Sequence, residues 1–433
     1  MSASPVSVAA YVKLVRDNRN FRLLWLAQAV SEMGDWFYSV AIYSLLLELT
    51  GSAQAVATAV VLQVLPQFVI ALVAGVINDR LSRKKVMIIA DLARACFVLG
   101  MLAASRFGSP WPIYILLVLQ SFMWGFFEPG RSAVIPNITA SKQETLVANS
   151  LASTTWSVNL ALGSFIGGVI AVAFGRDAVF VLNALTFLLS AFLLRGMSFT
   201  EPHMTGARPL GLKDLADFSP VIEGVQYVVR FPRLLATLLV KAGLGFLGAH
   251  WVIIPIFGER VFPLDFGCLD PARAGMLSMS ILMGSRGIGA LIGPLIGGRW
   301  AGSQRRRLRL GILFGFITMA VGYTALGGAP DLFTASLTVV LAHAGSSIVW
   351  VFSTTLLHYQ ADDRFRGRVF SADFASLVVT MALVSYVSGA AVDSGVSVRT
   401  IAVITGLLAF VPALLWRYRA MPLWRTEADN PDV

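Results

Sequence analysis

Twelve apolar runs of about 19 to 28 residues, separated by short polar joins, constrain this chain more than any other feature. They fall at 21–48, 54–77, 86–105, 111–134, 146–173 and 178–197, then at 233–257, 274–298, 308–328, 331–357, 369–392 and 399–417. A helix of roughly 20 apolar residues crosses about 30 Å of hydrocarbon. The 433 residues are 56% hydrophobic and 13% charged, against about 25% charged in soluble domains. Lipid is therefore the expected solvent. The first apolar run is too long for a signal peptide and lacks a small-residue cleavage site, so it reads as a retained span.

Charge placement gives an orientation. With the N-terminus in the cytoplasm and sides alternating, 26 of the 34 Lys and Arg residues fall in cytoplasmic segments and five in outer ones. That asymmetry is the positive-inside pattern, and it puts both termini in the cytoplasm. The net charge of +10 does not imply nucleic acid, because the cations sit in separate joins and form no patch. Cys96 and Cys268 offer neither a disulfide framework nor a metal spacing.

The chain divides into two sets of six runs, 1–197 and 233–433, joined by the polar linker 198–232, in which Asp214–Arg230 reads as an amphipathic surface helix. The basic join Gly75-Val-Ile-Asn-Asp79-Arg80-Leu-Ser-Arg83-Lys84-Lys85 follows the second run, with the glycine ending that run and the aspartate starting the turn. Its partner, Gly298 to Arg307, follows the eighth. Glu128-Pro-Gly-Arg131 has a looser echo in Arg364-Phe-Arg366-Gly-Arg368. Two parallel, pseudo-symmetric six-helix bundles, all α, fit this repetition.

The join at Gly75 resembles the loop-2/3 signature of the major facilitator superfamily: Gly75, Asp79, Arg80, Arg83 and Lys84 match, and Ser82 replaces the usual second glycine. The flanks resemble the drug and siderophore exporter branch that includes macrolide efflux pumps. They include Ser31-Glu-Met-Gly-Asp35-Trp, Asp91-Leu-Ala-Arg94, Phe127-Glu128-Pro-Gly-Arg131 and Ala148-Asn-Ser-Leu151. The resemblance implies that Asp79 latches one conformation by bonding across to the second half and to an arginine, with Arg131 as candidate. Asp91, Arg94 and Glu128 are expected as its neighbours near the cytoplasmic end. Asn159, Gly163 and Gly167 in the fifth run, and Gly289-Ala-Leu-Ile-Gly293-Pro-Leu-Ile-Gly297-Gly298 in the eighth, read as packing ridges rather than export-specific motifs.

Charges inside a bilayer are costly and mark function. At about 1.5 Å per residue, Glu32 lies roughly 15 Å into the first run and Asp35 one turn deeper on the same face. Arg286 and His343 lie about 16 and 18 Å into their runs, and Lys241 about 12 Å. These residues are expected to share a central cavity, with Glu32 and Asp35 carrying protons or contacting a cationic substrate. Trp36, Tyr38 and Trp124 are candidates to line it, against a plainer role in helix packing. His250, near the outer end of the seventh run, reads as an interface residue.

No Walker loop, metal cluster or nucleophile motif is present in the sequence, so neither an enzyme nor a cofactor is expected. The expected protein is a monomer in a bacterial inner membrane that exports a hydrophobic or amphiphilic small molecule in exchange for protons. The alternatives are an exporter of a metabolite, siderophore or lysolipid, and a non-transporting receptor on the same scaffold.

Overall fold

The structure is a computed structural model and describes residues 7–204, 219–264, 271–302, 304–362 and 365–427. Among the described residues there is no strand, and each of the twelve apolar runs lies on helix. Ten of these helical elements are long and apolar enough to cross a membrane. The other two runs, 21–48 and 54–77, lie on α2 (Arg19–Thr50), which carries several charges, and on α3 (Ala53–Arg80). The chain forms two compact units, Met1–Leu49 with Pro66–Asp217, and Thr50–Leu65 with Phe218–Val433.

The first unit opens with α1 (Val8–Asp17), capped by Ser7. It lies against α6 (Lys142–Phe174), where Tyr11 Oη and Ser150 Oγ are 2.8 Å apart. Then come α2, the second part of α3, α4 (Arg83–Ala104), α5 (Trp111–Ile138), α6 and α7 (Arg176–Arg195). The glycines of α6 set how closely it approaches α2. A Cβ at Gly163 would stand 2.7 Å from Trp36 Cβ, and one at Gly167 2.3 Å from Phe37 Cβ. Neither position tolerates a side chain unless the helices part, which is the packing role expected of that ridge.

The basic join differs from its expected shape. Helix α3 runs on through Gly75 and Asp79 to Arg80, so Gly75 does not end the helix and Asp79 does not start a turn. The connection is Leu81-Ser82 alone. Ser82 caps α4, its Oγ accepting from the Lys85 amide at 3.3 Å. An N-cap needs an oxygen side chain and extended backbone, and Ser82 has φ −62° and ψ 113°. Serine in place of glycine therefore supplies a cap here. Arg83 Nε donates to the Asn78 carbonyl at 3.1 Å, satisfying the free end of α3. The related join works alike: Arg307 donates to the Trp300 carbonyl at 2.8 Å.

The second unit holds α8 (Ser219–Arg230), α9 (Pro232–Gly245), α10 (His250–Ile256), α11 (Pro271–Ala301), α12 (Arg305–Gly327), α13 (Leu332–Gln360), α14 (Arg366–Asp393) and α15 (Val398–Leu415). The seventh run is composite: α9, a 3-10 turn at Phe246–Ala249, α10 with Pro255, and a π turn at Phe257–Val261. Of the amphipathic stretch expected over 214–230, α8 is the described part; 214–218 lie outside the described residues, as do Cys268 and Arg364. Helix α8 packs on the start of α14 through Tyr227 stacked on Phe365, 4.2 Å between ring centres, and an ion pair between Glu223 and Arg368.

Candidate functional site

In the first unit two polar networks leave α2 in different directions. Glu32 Oε1 accepts from Gln28 Nε2 at 2.8 Å, and Oε2 accepts from Asn159 Nδ2 on α6 at 3.2 Å. Arg131 on α5 donates to Gln28 Oε1 at 3.1 Å and forms an ion pair with Glu128. The chain of contacts Asn159–Glu32–Gln28–Arg131–Glu128 thus ties together α2, α5 and α6.

Asp35, one turn on, turns instead to α4. Its carboxylate pairs with Arg94, whose side chain is 2% exposed. Arg94 also donates to Asp91 Oδ1 at 3.3 Å, and Ser190 on α7 donates to Asp91 Oδ2 at 2.5 Å. The guanidinium lies 4.0 Å from the Phe187 ring centre, a favourable stacking geometry.

These placements correct several expectations. Glu32 and Asp35 do not form one acidic site; each has its own partners. Asp35 is held by Arg94 within its own unit. Asp91 and Arg94 are not neighbours of Asp79: Arg94 lies eleven residues into α4, about 16 Å from its start, and is fully buried. Arg131 bonds Glu128 and Gln28, while Asp79, its side chain 71% exposed, pairs with Arg83 at 3.3 Å. Lys84 Nζ donates to the carbonyls of Arg195 and Met197 at 2.9 and 2.6 Å, closing the end of α7. Arg80 is half-buried at the end of α3, and the space beyond Gly75 is open. Tyr38 is packed in the core, its hydroxyl 2.9 Å from Met101 Sδ and its ring edge-on to Phe180. Trp36 packs edge-on to Trp156, and Trp124 is half-buried on α5.

The second unit holds two further clusters. Lys241 on α9 donates to Thr354 Oγ1 at 2.8 Å and lies 3.8 Å from the Trp350 ring centre, both on α13. Its Nζ is 3.5 Å from Asp373 Oδ2 on α14. Arg286 on α11 lies 3.9 Å from the Trp251 ring centre. Nearby, His343 is 2.7 Å from the Tyr323 hydroxyl through Nε2, and its ring meets that of His250 at 5.0 Å. His250 is therefore a buried member of the cluster, not a residue of an outer interface.

Sequence reasoning missed Gln28, Ser190, Asp373 and Glu201. A carboxylate inside the 369–392 run was the available signal for Asp373. Glu201 accepts from Ser82 Oγ at 2.5 Å and from the Arg83 amide at 2.7 Å, so a linker residue holds the N-terminus of α4.

Long apolar helices with charges gathered inside the bundles define a class: multi-pass membrane proteins that keep polar chemistry within helical packing. The chain belongs to the Major Facilitator Superfamily, whose sequence model matches residues 24–372, and it is accordingly a membrane transporter of small molecules with the major facilitator fold. It is 28% identical over 358 residues to macrolide efflux protein A of Streptococcus pyogenes, covering 81% of this chain and 84% of that one. It is 26% identical over 320 residues to the multidrug efflux pump Tap of Mycolicibacterium fortuitum, covering 72% of this chain and 74% of that one. Among solved structures, a point mutant of the nucleoside transporter NupG superposes with a TM-score of 0.73 at 11% identity, over 92% of this chain and 98% of that one. At that identity the likeness speaks for the fold.

Proposed function

We propose that this transporter exports a hydrophobic or amphiphilic small molecule across a bacterial inner membrane in exchange for protons, by alternating access. The functional halves in this reading are 1–197 and 233–433, joined by 198–232, with both termini in the cytoplasm and the chain acting as a monomer. The efflux relatives support the direction and the substrate class. The observation that carries the coupling is the setting of Glu32. Its direct hydrogen bonds come from two neutral amides, Gln28 and Asn159, so a proton can join or leave without an ion pair being broken. Asp35, paired with Arg94, lacks that freedom.

The test is transport in vesicles under an imposed proton gradient, with a panel of dyes, macrolides and lysolipids. Glu32→Gln is expected to lower gradient-driven movement to the rate seen without a gradient, and Asp35→Asn to reduce transport together with protein yield. Wild-type movement that ignores the gradient removes proton exchange from the reading. If no compound moves, the hydrophobic or amphiphilic substrate class is removed from the reading.

Asp79 is assigned to conformational bias in the same reading. Its pair with Arg83 is exposed and worth under about 1 kcal/mol, so Asp79→Asn is expected to leave folding intact. It should shift cysteine-label accessibility from one membrane face to the other. Unchanged labelling on both faces excludes that role.

A further inference from the structure

We infer that Lys241 and Asp373 form a second proton-carrying site, in the second unit, built on the same helix pair that carries Glu32 in the first. This rests on the proton-exchange reading above and extends it to a residue outside the Glu32 network.

The first observation is an unsatisfied oxygen. Asp373 is 4% exposed. Its Oδ2 faces Lys241 Nζ at 3.5 Å. Its Oδ1 is buried, and no described donor reaches it. A buried ionised carboxylate is stable when both oxygens receive hydrogen bonds or a close cation. Here the cation pairs with Oδ2 alone, at the long end of the hydrogen-bond range, and it holds a shorter bond, 2.8 Å, to Thr354. Adding a proton to Oδ1 neutralises the carboxylate and leaves the Lys241 cation held by Thr354 Oγ1 and the face of the Trp350 ring in place of the ion pair. The carboxylate thus has a reason to exchange protons, and its cation has somewhere to stay when it does.

The second observation is the repeat. The first and fifth spans of the first unit, α2 and α6, meet through Glu32 and Asn159. One turn after Asn159, Gly163 lets α6 approach Trp36 closely. In the second unit the first and fifth spans are α9 with α10, and α14. They meet through Lys241 and Asp373, and one turn after Lys241, Gly245 lets the helix approach Thr380, with a Cβ there standing 2.5 Å from Thr380 Cβ. Each pair joins one polar contact to a glycine four residues later, on the fifth span in the first unit and on the first span in the second, so the same helix pair is used with the roles of its members exchanged. A carboxylate and a neutral amide stand in the first unit, and a cation and a carboxylate in the second.

Besides Arg230, Arg233, His343, Tyr359 and Arg399, the described helices packed on α14 carry the following charged or titratable groups. Helix α9 presents Lys241. Helix α8 presents Glu223, paired with Arg368, and Tyr227, stacked on Phe365. Helix α13 presents His358, whose ring packs against Phe370 at 4.5 Å, and α10 presents His250, bonded to the Leu247 carbonyl. Lys241 is the one of these within ion-pair distance of the carboxylate.

The test reads protonation directly. Infrared difference spectra of the full chain in lipid nanodiscs, between acid and alkaline pH, record the carbonyl stretch of each carboxylic acid that titrates. Asp373→Asn is expected to lose one such band while Glu32→Gln keeps it and loses another. Asp373→Glu, which keeps the acid and moves it, is expected to shift the band rather than remove it, and it stands in if the asparagine variant folds poorly. A spectrum unchanged in both Asp373 variants overturns the site while leaving the Glu32 reading intact. A lost band combined with wild-type transport that ignores the proton gradient keeps the site as a proton-binding group and overturns the exchange reading instead.

Discussion

Replacing Arg94 with glutamine is expected to destabilise the protein by about 3–5 kcal/mol near neutral pH, the cost typical of removing one partner from a buried ion pair. Arg94 is 2% exposed and serves two carboxylates, Asp35 and Asp91. Asp91 is fully buried and would keep a single hydrogen bond, from Ser190. Asp35 is 26% exposed at its side chain and has some access to other solvation, which places the cost toward the lower end of that range. The measurement is thermal unfolding in detergent or nanodiscs. Two features separate this account from ordinary loss of packing. The deficit should shrink as pH falls, because protonating the two orphaned carboxylates removes the charge that glutamine cannot balance. The combination Arg94→Gln with Asp91→Asn should recover part of the loss. A deficit that is independent of pH and adds to that of Asp91→Asn would mean the guanidinium acts through its stacking on Phe187 instead.

That same triad shows where the sequence was legible and where it was not. The spans were readable because hydropathy and length speak residue by residue, and the repeat was readable because basic joins recur after the second and eighth spans. The partners of the buried charges were not. Glu32 and Asp35 are three residues apart, which puts them on one broad face but rotates them by about 60° around the helix axis. On a helix packed on several sides, that rotation is enough for one to meet α6 and the other α4. No local pattern encodes which neighbour stands at which angle. Arg94 reads as a neighbour of the Asp79 latch near the cytoplasmic end of its span, yet eleven residues of helix carry it to mid-depth. Gly75 misled in the opposite direction. Glycine suggested a helix end, but its φ is not positive here, and the helix continues until Ser82 supplies a cap. Asp373 was hidden by its surroundings: a lone carboxylate near the start of a long apolar run reads as a helix-end residue until α9 is seen to bring Lys241 beside it.

The second large effect is expected at Gly293. A Cβ built there would lie 2.2 Å from the Ala344 carbonyl oxygen and 2.9 Å from Ala344 C and Cα. These are backbone atoms of α13 and cannot turn aside as a side-chain tip can, so α11 and α13 must separate or shift along each other. Gly289, one turn earlier, meets the Val340 carbonyl at 2.3 Å in the same way, so the strain cannot be relieved by a small tilt about that point. Overpacking of this kind costs typically about 1–3 kcal/mol, and Gly293→Val should fall at or above the top of that range because valine adds two methyl groups to a Cβ that already has no room. Two neighbours provide the scale. At Gly297 a Cβ meets Ile348 Cγ1 at 3.1 Å and Phe352 Cζ at 3.2 Å, side-chain atoms that can move by a few tenths of an ångström, so Gly297→Ala should cost less than about 1 kcal/mol. At Gly298 nothing lies within 4 Å, and alanine there should be neutral or stabilising by about 0.5–1 kcal/mol, because glycine inside a helix is entropically unfavourable. The order of unfolding temperatures in detergent is then Gly298→Ala highest, Gly297→Ala next and Gly293→Val lowest. If the glycines were instead kept for transport itself, Gly297→Ala and Gly298→Ala would lose activity while their stability stayed at the wild-type level, and the packing account of this stretch would have to be given up.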